Sequence, residues 1–207
     1  VRKLLIYGDS NSFGTAPMSS LGAQSVHPRG ARWGDILAGR LSGEWEVVIE
    51  GLGGRTTVHD DPIEGAYRNG LTILPAILHS HKPIDLLAIC LGTNDQKLRF
   101  GLGAQDVALG LARLTREALA TETVGKVLLI APPPVKECGD FALMFSGAST
   151  RCKGLAAAIL RVAEEEGATF FDAGTVIETD EADGIHWSAA SHATLGEALE
   201  PVIRSLG

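Results

Sequence analysis

Lys3-Leu4-Leu5-Ile6-Tyr7-Gly8-Asp9-Ser10 is a short apolar run that stops at Gly-Asp-Ser. Without polar alternation the run reads as a strand covered on both faces, as in a parallel sheet. The stop is as informative as the run. Asp and Ser bond their own backbone in turns, and Gly tolerates the conformations that turns require. A serine on such a turn projects its hydroxyl past the strand end, where a base can activate it.

Four further runs share this character, at residues 45–50, 84–90, 127–131 and 169–171, and all five are expected to be buried on both faces. Segments of helical period lie between and after them, at 33–41, 71–79, 105–122, 151–166 and 188–206. Strands alternating with helices predict βαβ units, hence an α/β fold with one parallel sheet. In 105–122 the side chains of Val107, Leu111, Leu114 and Ala118 line one face, with Arg113, Arg116 and Glu117 on the other. In the last helix Leu195, Leu199, Val202 and Leu206 form the apolar stripe, and Pro201, which has no N–H, is expected to kink or break it. Residues 11–31 and 132–150 exceed ordinary connection lengths. Both follow the C-terminal end of a strand, the edge where open parallel sheets bind their ligands.

The chain has 207 residues, 45% hydrophobic and 21% charged, without repeats, low-complexity tracts or linkers, so one domain over residues 1–207 is expected. Eighteen Lys and Arg against 25 Asp and Glu leave a net charge of −7, which repels nucleic-acid phosphates. No run approaches the roughly 20 apolar residues of a membrane span. Cys90, Cys138 and Cys152 are odd in number and fit no zinc-ribbon or CxxC spacing, so reduced thiols in a cytoplasm are expected. A Cys138–Cys152 bridge stays open, because sequence does not supply the Cα separation. The chain begins with Val1 rather than Met, which leaves open whether a segment once preceded it.

Three more motifs follow strand ends. Gly51-Leu52-Gly53-Gly54-Arg55-Thr56 lets backbone N–H groups approach a ligand, and it matches neither GxGxxG nor GxxxxGK[ST]. Gly92-Thr93-Asn94-Asp95 offers an uncharged amide donor at the same edge. Asp183-Gly184-Ile185-His186 can place a carboxylate on imidazole Nδ1 and leave Nε2 free to take a proton from serine. Each piece alone has an ordinary explanation as a turn, a bend or a loop charge. Together, in chain order after successive strands, they supply every part that acyl transfer needs.

As a set, these four blocks resemble the SGNH hydrolases, also called GDSL esterases and lipases, over nearly the whole chain. The resemblance implies a flavodoxin-like three-layer α/β/α sandwich with a five-stranded parallel sheet of order 2-1-3-4-5. It implies Ser10 as nucleophile, Asp183 and His186 as its triad partners, and an oxyanion hole of Ser10, Gly54 and Asn94. Arg32-Trp33, the run from Gly51 to Thr57, Asp60-Asp61-Pro62 and Lys97 look like the arylesterase and acyltransferase branch, which acts on small acyl esters and can pass the acyl group to alcohols or peroxide. Asn11, Thr93, Lys97, Phe145 and Ile185 are expected at the substrate, with Asn11 altering the pocket wall where many members carry Leu. The resemblance also suggests a homo-oligomer and calls for no cofactor or metal.

The long loops carry Met18, Val26, Pro28, Phe141, Leu143, Met144 and Phe145, which either line an apolar pocket over the serine or form a second small core. Activity is expected to climb with pH as the imidazole loses its proton. Within the family, a carbohydrate O-acetyl esterase is the main alternative, although only 5% of residues are aromatic and no sugar-binding platform stands out. Outside it, the alternatives are a noncatalytic flavodoxin-like binding module and a metal enzyme built on His79-Ser80-His81 or His59-Asp60-Asp61.

Overall fold

The computed structural model describes all of residues 1–207. Five parallel strands, β1 (Arg2–Gly8), β2 (Trp45–Gly51), β3 (Ile84–Cys90), β4 (Val124–Ala131) and β5 (Thr169–Asp172), form one sheet of order β2-β1-β3-β4-β5. Seven α-helices accompany them: α1 (Ser10–Phe13), α2 (Trp33–Arg40), α3 (Gly70–His81), α4 (Ala104–Ala120), α5 (Ala148–Arg151), α6 (Leu155–Glu166) and α7 (Ala189–Leu206).

Side chains alternate across the sheet, so each strand feeds two cores. Leu5, Tyr7, Leu87, Ile89 and Leu129 pack with α3, α4 and α6. Leu4, Ile6, Leu86, Ala88, Leu128 and Ile130 pack with Trp33 and Leu37 of α2 and with Leu195, Leu199 and Ile203 of α7. The result is the expected three-layer α/β/α sandwich. Strand order reverses between β1 and β3, which opens a crevice beyond their C-terminal ends. Ser10 follows β1 there, and Asn94 lies just beyond β3.

Burial on both faces holds for the middle strands β1, β3 and β4 but not for β2 and β5, whose residues are mostly half-buried. Those two are the sheet's edges, each with one neighbour. The expected face of α4 is fully buried, and Arg113 on its far side pairs with Glu117 at 2.7 Å. The helix expected over 151–166 is instead two, because Gly154 adopts a φ of +82° that an α-helix cannot continue. Pro201 does not break α7, which runs unbroken to Leu206. Leu195, Leu199 and Ile203 hold the helix against the sheet from both sides of the proline, while Val202 and Leu206 are only partly buried.

Candidate active site

The serine is presented by a turn that only a small residue permits. A Cβ on Gly8 would lie 2.0 Å from Ser12 Oγ, so the end of β1 and the first turn of α1 close on each other through a glycine. Asp9 caps α1 by accepting the Asn11 N–H at 2.9 Å. Ser10 is the first helical residue, where the backbone N–H has no partner within the helix.

The histidine comes from the loop before α7. Asp183 accepts the backbone N–H groups of Ile185 (3.0 Å) and His186 (2.9 Å) on Oδ1, and the Met18 N–H (2.8 Å) and His186 Nδ1 (2.7 Å) on Oδ2. The opposite ring atom, His186 Nε2, lies 3.1 Å from Ser10 Oγ. Burial pushes the Asp183 carboxyl up, but the ring and backbone bonds from His186 outweigh it and hold the group below the ordinary carboxylate range. A carboxylate so held fixes the imidazole orientation and favours Nδ1–H.

Two further donors come from the β2 and β3 ends. Gly54 has a φ of +75°, in the left-handed region, which leaves its N–H outside the local backbone bonding. Asn94 Nδ2 is held by Arg55 O at 3.2 Å and lies 3.4 Å from Asp9 Oδ2. Burial raises the Asp9 carboxyl to about 6, against the opposing Asn11 N–H, His186 and Arg55. Asp95 ties these two loops together by accepting the Thr57 N–H at 3.0 Å and the Thr57 hydroxyl. Its carboxyl is also raised, chiefly by burial. Arg55 lies 4.1 Å over the Tyr7 ring and donates to Gly8 O at 2.8 Å, which locks the β2 loop to β1.

Ser10, Gly54, Asn94 and His186 all open on one cavity of about 290 Å³. Met18, Phe141, Met144, Phe145 and Ile185 give it apolar lining, and Thr15, Gln24, Glu64, Arg68 and Lys97 give it polar lining. Phe145, Ile185, Val135 and Ala148 also pack as a small core with Phe141 and Met144. Phe141, Met144, Phe145 and Ile185 therefore belong to both the pocket and the second core. Val26, Pro28 and Leu143 belong to neither and are exposed.

Of the residues expected at the substrate, Lys97, Phe145 and Ile185 line the cavity, whereas Asn11 and Thr93 do not. Asn11 is buried and donates from Nδ2 to Ile185 O at 3.2 Å, so it ties the serine turn to the histidine loop instead of forming a pocket wall. Thr93 is buried beneath the Asn94 turn. Lys97 is itself spoken for, with Nζ 2.9 Å from Glu64 and 3.5 Å from Asp61. Sequence reasoning gives Asp9, Thr57, Asp95 and Arg68 no role of their own; the first three lie inside its motifs, but nothing local marks Arg68.

No three His, Cys, Asp or Glu side chains come together as a metal-binding group. His81 ends α3 with its Nε2 2.9 Å from Glu50, and the His59 ring lies 5.9 Å from that of Phe100. All three cysteines are free, so Cys138 and Cys152 are not bridged. No helix is long and apolar enough to cross a membrane.

A doubly wound sheet with Ser, His, Asp and two amide donors converging at its switch point is the architecture of a serine acyl hydrolase. The chain belongs to the GDSL-like lipase/acylhydrolase family, whose model matches residues 6–194, and is a carboxylic ester hydrolase. It is similar to the aryl esterase of M. smegmatis, with 37% identity, full coverage of both chains and a TM-score of 0.95. Est24, a carbohydrate acetylesterase from Sinorhizobium meliloti, is equally similar, at 37% identity, full coverage of both chains and a TM-score of 0.95. A carbohydrate acetylesterase family member from the same organism shares 34% identity, with 100% of this chain and 99% of that one covered and a TM-score of 0.91. No curated protein sequence matches the chain significantly.

Proposed function

We propose that the protein, as one catalytic domain over residues 1–207, hydrolyses small carboxylic esters of aryl or alkyl alcohols through an acyl-Ser10 intermediate. The observation that carries this reading is the unbroken line from Ser10 Oγ to His186 Nε2 (3.1 Å) and from His186 Nδ1 to Asp183 (2.7 Å), opening on the cavity that also holds Gly54 and Asn94. Neutral His186 takes the Ser10 proton as Oγ attacks the carbonyl carbon, and Asp183 steadies the imidazolium that forms. The oxyanion accepts hydrogen bonds from the Ser10 and Gly54 N–H groups and the Asn94 amide. The imidazolium then protonates the departing alcohol, and water attacks the acyl-serine by the reverse steps.

The leaving oxygen must lie against His186 Nε2, so the alcohol group faces the wall nearest the imidazole. Ile185 directly precedes His186 and lines the cavity, the Met18 backbone N–H donates to Asp183, and the Phe141 ring stands edge-on to the imidazole at 6.1 Å. An apolar wall there supports an aryl or alkyl alcohol. Arg68 stands against Gly53 and Gly54, linked to Lys97 through Glu64, and this charged group in the cavity lining supports a short acyl group. Where that apolar wall holds a second alcohol in place of water, acyl transfer competes with hydrolysis.

A carbohydrate O-acetyl ester is the second reading. Thr15, Gln24 and Glu64 offer the cavity hydrogen-bonding groups suited to sugar hydroxyls, and the likeness to Est24 supports it. Rates on p-nitrophenyl esters of rising acyl length, beside release of acetate from an acetylated sugar, separate the two. A preference for long acyl chains overturns both. A fluorophosphonate probe should label the protein and spare Ser10→Ala.

Three unpaired cysteines support a reducing, cytoplasmic setting. Leu21, Ile63, Tyr67, Leu98 and Leu143 are exposed, and each is next in sequence to a cavity residue. That apolar rim supports a homo-oligomer assembled through the loops around the site, which light scattering of the purified chain tests.

A further inference from the structure

The oxyanion hole needs the Gly53–Gly54 peptide to face one way. Because the C=O and N–H of a peptide unit point in opposite directions, whatever holds Gly53 O also aims Gly54 N–H. Gly53 O accepts a hydrogen bond from Arg68 Nη1. The guanidinium sits where a Cβ on Gly54 would be, so the glycine and the arginine are fitted to each other.

Arg68 is in turn fixed by its surroundings. Its Nε donates to Glu64 O at 3.2 Å, and Nη1 lies 3.6 Å from the Glu64 carboxylate. That carboxylate also takes Lys97 at 2.9 Å and Arg99 at 3.5 Å. Asp61 anchors the same turn by accepting the N–H groups of Ile63 and Glu64, each at 2.9 Å, and Arg99 at 2.9 Å. Burial opposes its charge, but these donors hold its carboxyl down at about 2. Lys97 stands three residues after Asn94 and closes the short helical turn that begins there, its N–H on Asn94 O at 3.2 Å. The ion network thus spans from the loop carrying one oxyanion donor to the loop carrying the other.

We infer that Arg68, held by Glu64 and Lys97, is a positioning residue that keeps the Gly53–Gly54 peptide turned with its N–H toward Ser10. This rests on the Ser10 esterase reading. A free Gly-Gly peptide flips readily, and a flipped one would present a carbonyl to the oxyanion.

The test compares wild type, Arg68→Met and Arg68→Lys on p-nitrophenyl acetate, with melting temperature as a check on folding. Methionine keeps the apolar stem and removes the donor; lysine restores one. Arg68→Met should lower kcat by about 10- to 100-fold, less than deleting an oxyanion donor outright, with KM within about twofold. Affinity for phenylboronic acid, whose tetrahedral serine adduct places an oxyanion in the hole, should fall by a similar factor. Arg68→Lys should recover most of both losses. A rise in KM at unchanged kcat would show that Arg68 touches substrate instead, and unchanged kcat and boronate affinity would show that the peptide needs no such hold. Either overturns the inference. If Arg68→Met melts well below wild type, the decision passes to Arg68→Lys, whose failure to restore both readouts in a folded protein also overturns it. Fluorophosphonate labelling of wild type keeps the two claims separate: without labelling of Ser10 the esterase reading falls, and with it only the Arg68 inference is at stake.

Discussion

The loop at 183–186 and the first turn of α7 each bury a histidine, six residues apart, and treat it in opposite ways. His186 is 4% exposed and His192 0%. His186 has a carboxylate on one ring nitrogen and a hydroxyl on the other. His192 Nδ1 instead accepts the Trp33 N–H at 3.2 Å, its Nε2 has no partner, and the His27 ring stands 4.8 Å away. Burial first, then the neighbouring His27 and Arg32, push the His192 pKa down to about 3. Similar burial thus leaves one imidazole between a carboxylate and a hydroxyl, as the proposed mechanism needs, and the other a packing group that is neutral at ordinary pH. The difference lies in the partners, since a buried imidazolium is tolerable only beside an anion.

The largest effect that can break this contrast is on the first histidine. His186→Ala should lower kcat by roughly 10⁶-fold, as loss of the base in a serine triad does. His192→Asn, which retains an acceptor for Trp33, should change kcat by less than about threefold; a comparable loss in both would erase the distinction. Asp183→Asn comes next, at about 10⁴-fold, because the amide favours the wrong imidazole tautomer. Asn94→Ala should cost about 100- to 1000-fold in kcat through one lost oxyanion donor.

The smallest effect sharpens the contrast from the other side and is read in stability rather than rate. Because the folded pKa of His192 is depressed to about 3 from an ordinary 6.5, the unfolded chain binds a proton there that the folded chain refuses. Its contribution to stability is complete above about 6.5 and is lost as pH falls toward 3. Asp9 acts in the reverse sense: its folded pKa is raised to about 6 from 3.8, so its contribution is present below 3.8 and lost as pH rises through 6. The difference in melting temperature between wild type and His192→Asn, followed from pH 7 to 4, isolates the histidine. It should shift in favour of the variant as pH falls, and a constant difference would mean that His192 titrates normally.

Strand and helix types were legible because period and turn chemistry are local. The run from Lys3 to Ser10 already contained a buried strand and the turn that presents a hydroxyl, and the stripe from Val107 to Ala118 already contained a helix face. The misreadings have a common origin. Whether β2 and β5 are covered depends on their place at the sheet's edges. Whether Pro201 breaks α7 depends on what Leu195, Leu199 and Ile203 press against. The resemblance puts Asn11 at the pocket wall, where many family members carry Leu, but its amide turns to Ile185, 174 positions away.

What the residues determined by themselves is the alternation of strands and helices and the chemical types waiting at each strand end, since these follow from periodicity and from backbone preferences a few residues wide. Only the tertiary structure decided that Ser10 would meet the free Nε2 of a histidine 176 positions away, that Asp95 would join Thr57, and that Arg68 would reach Gly53. Most of these contacts are made across strands by groups far apart in the chain. Their distances are set by sheet register and by how tightly the two cores pack, quantities that no local window of sequence contains.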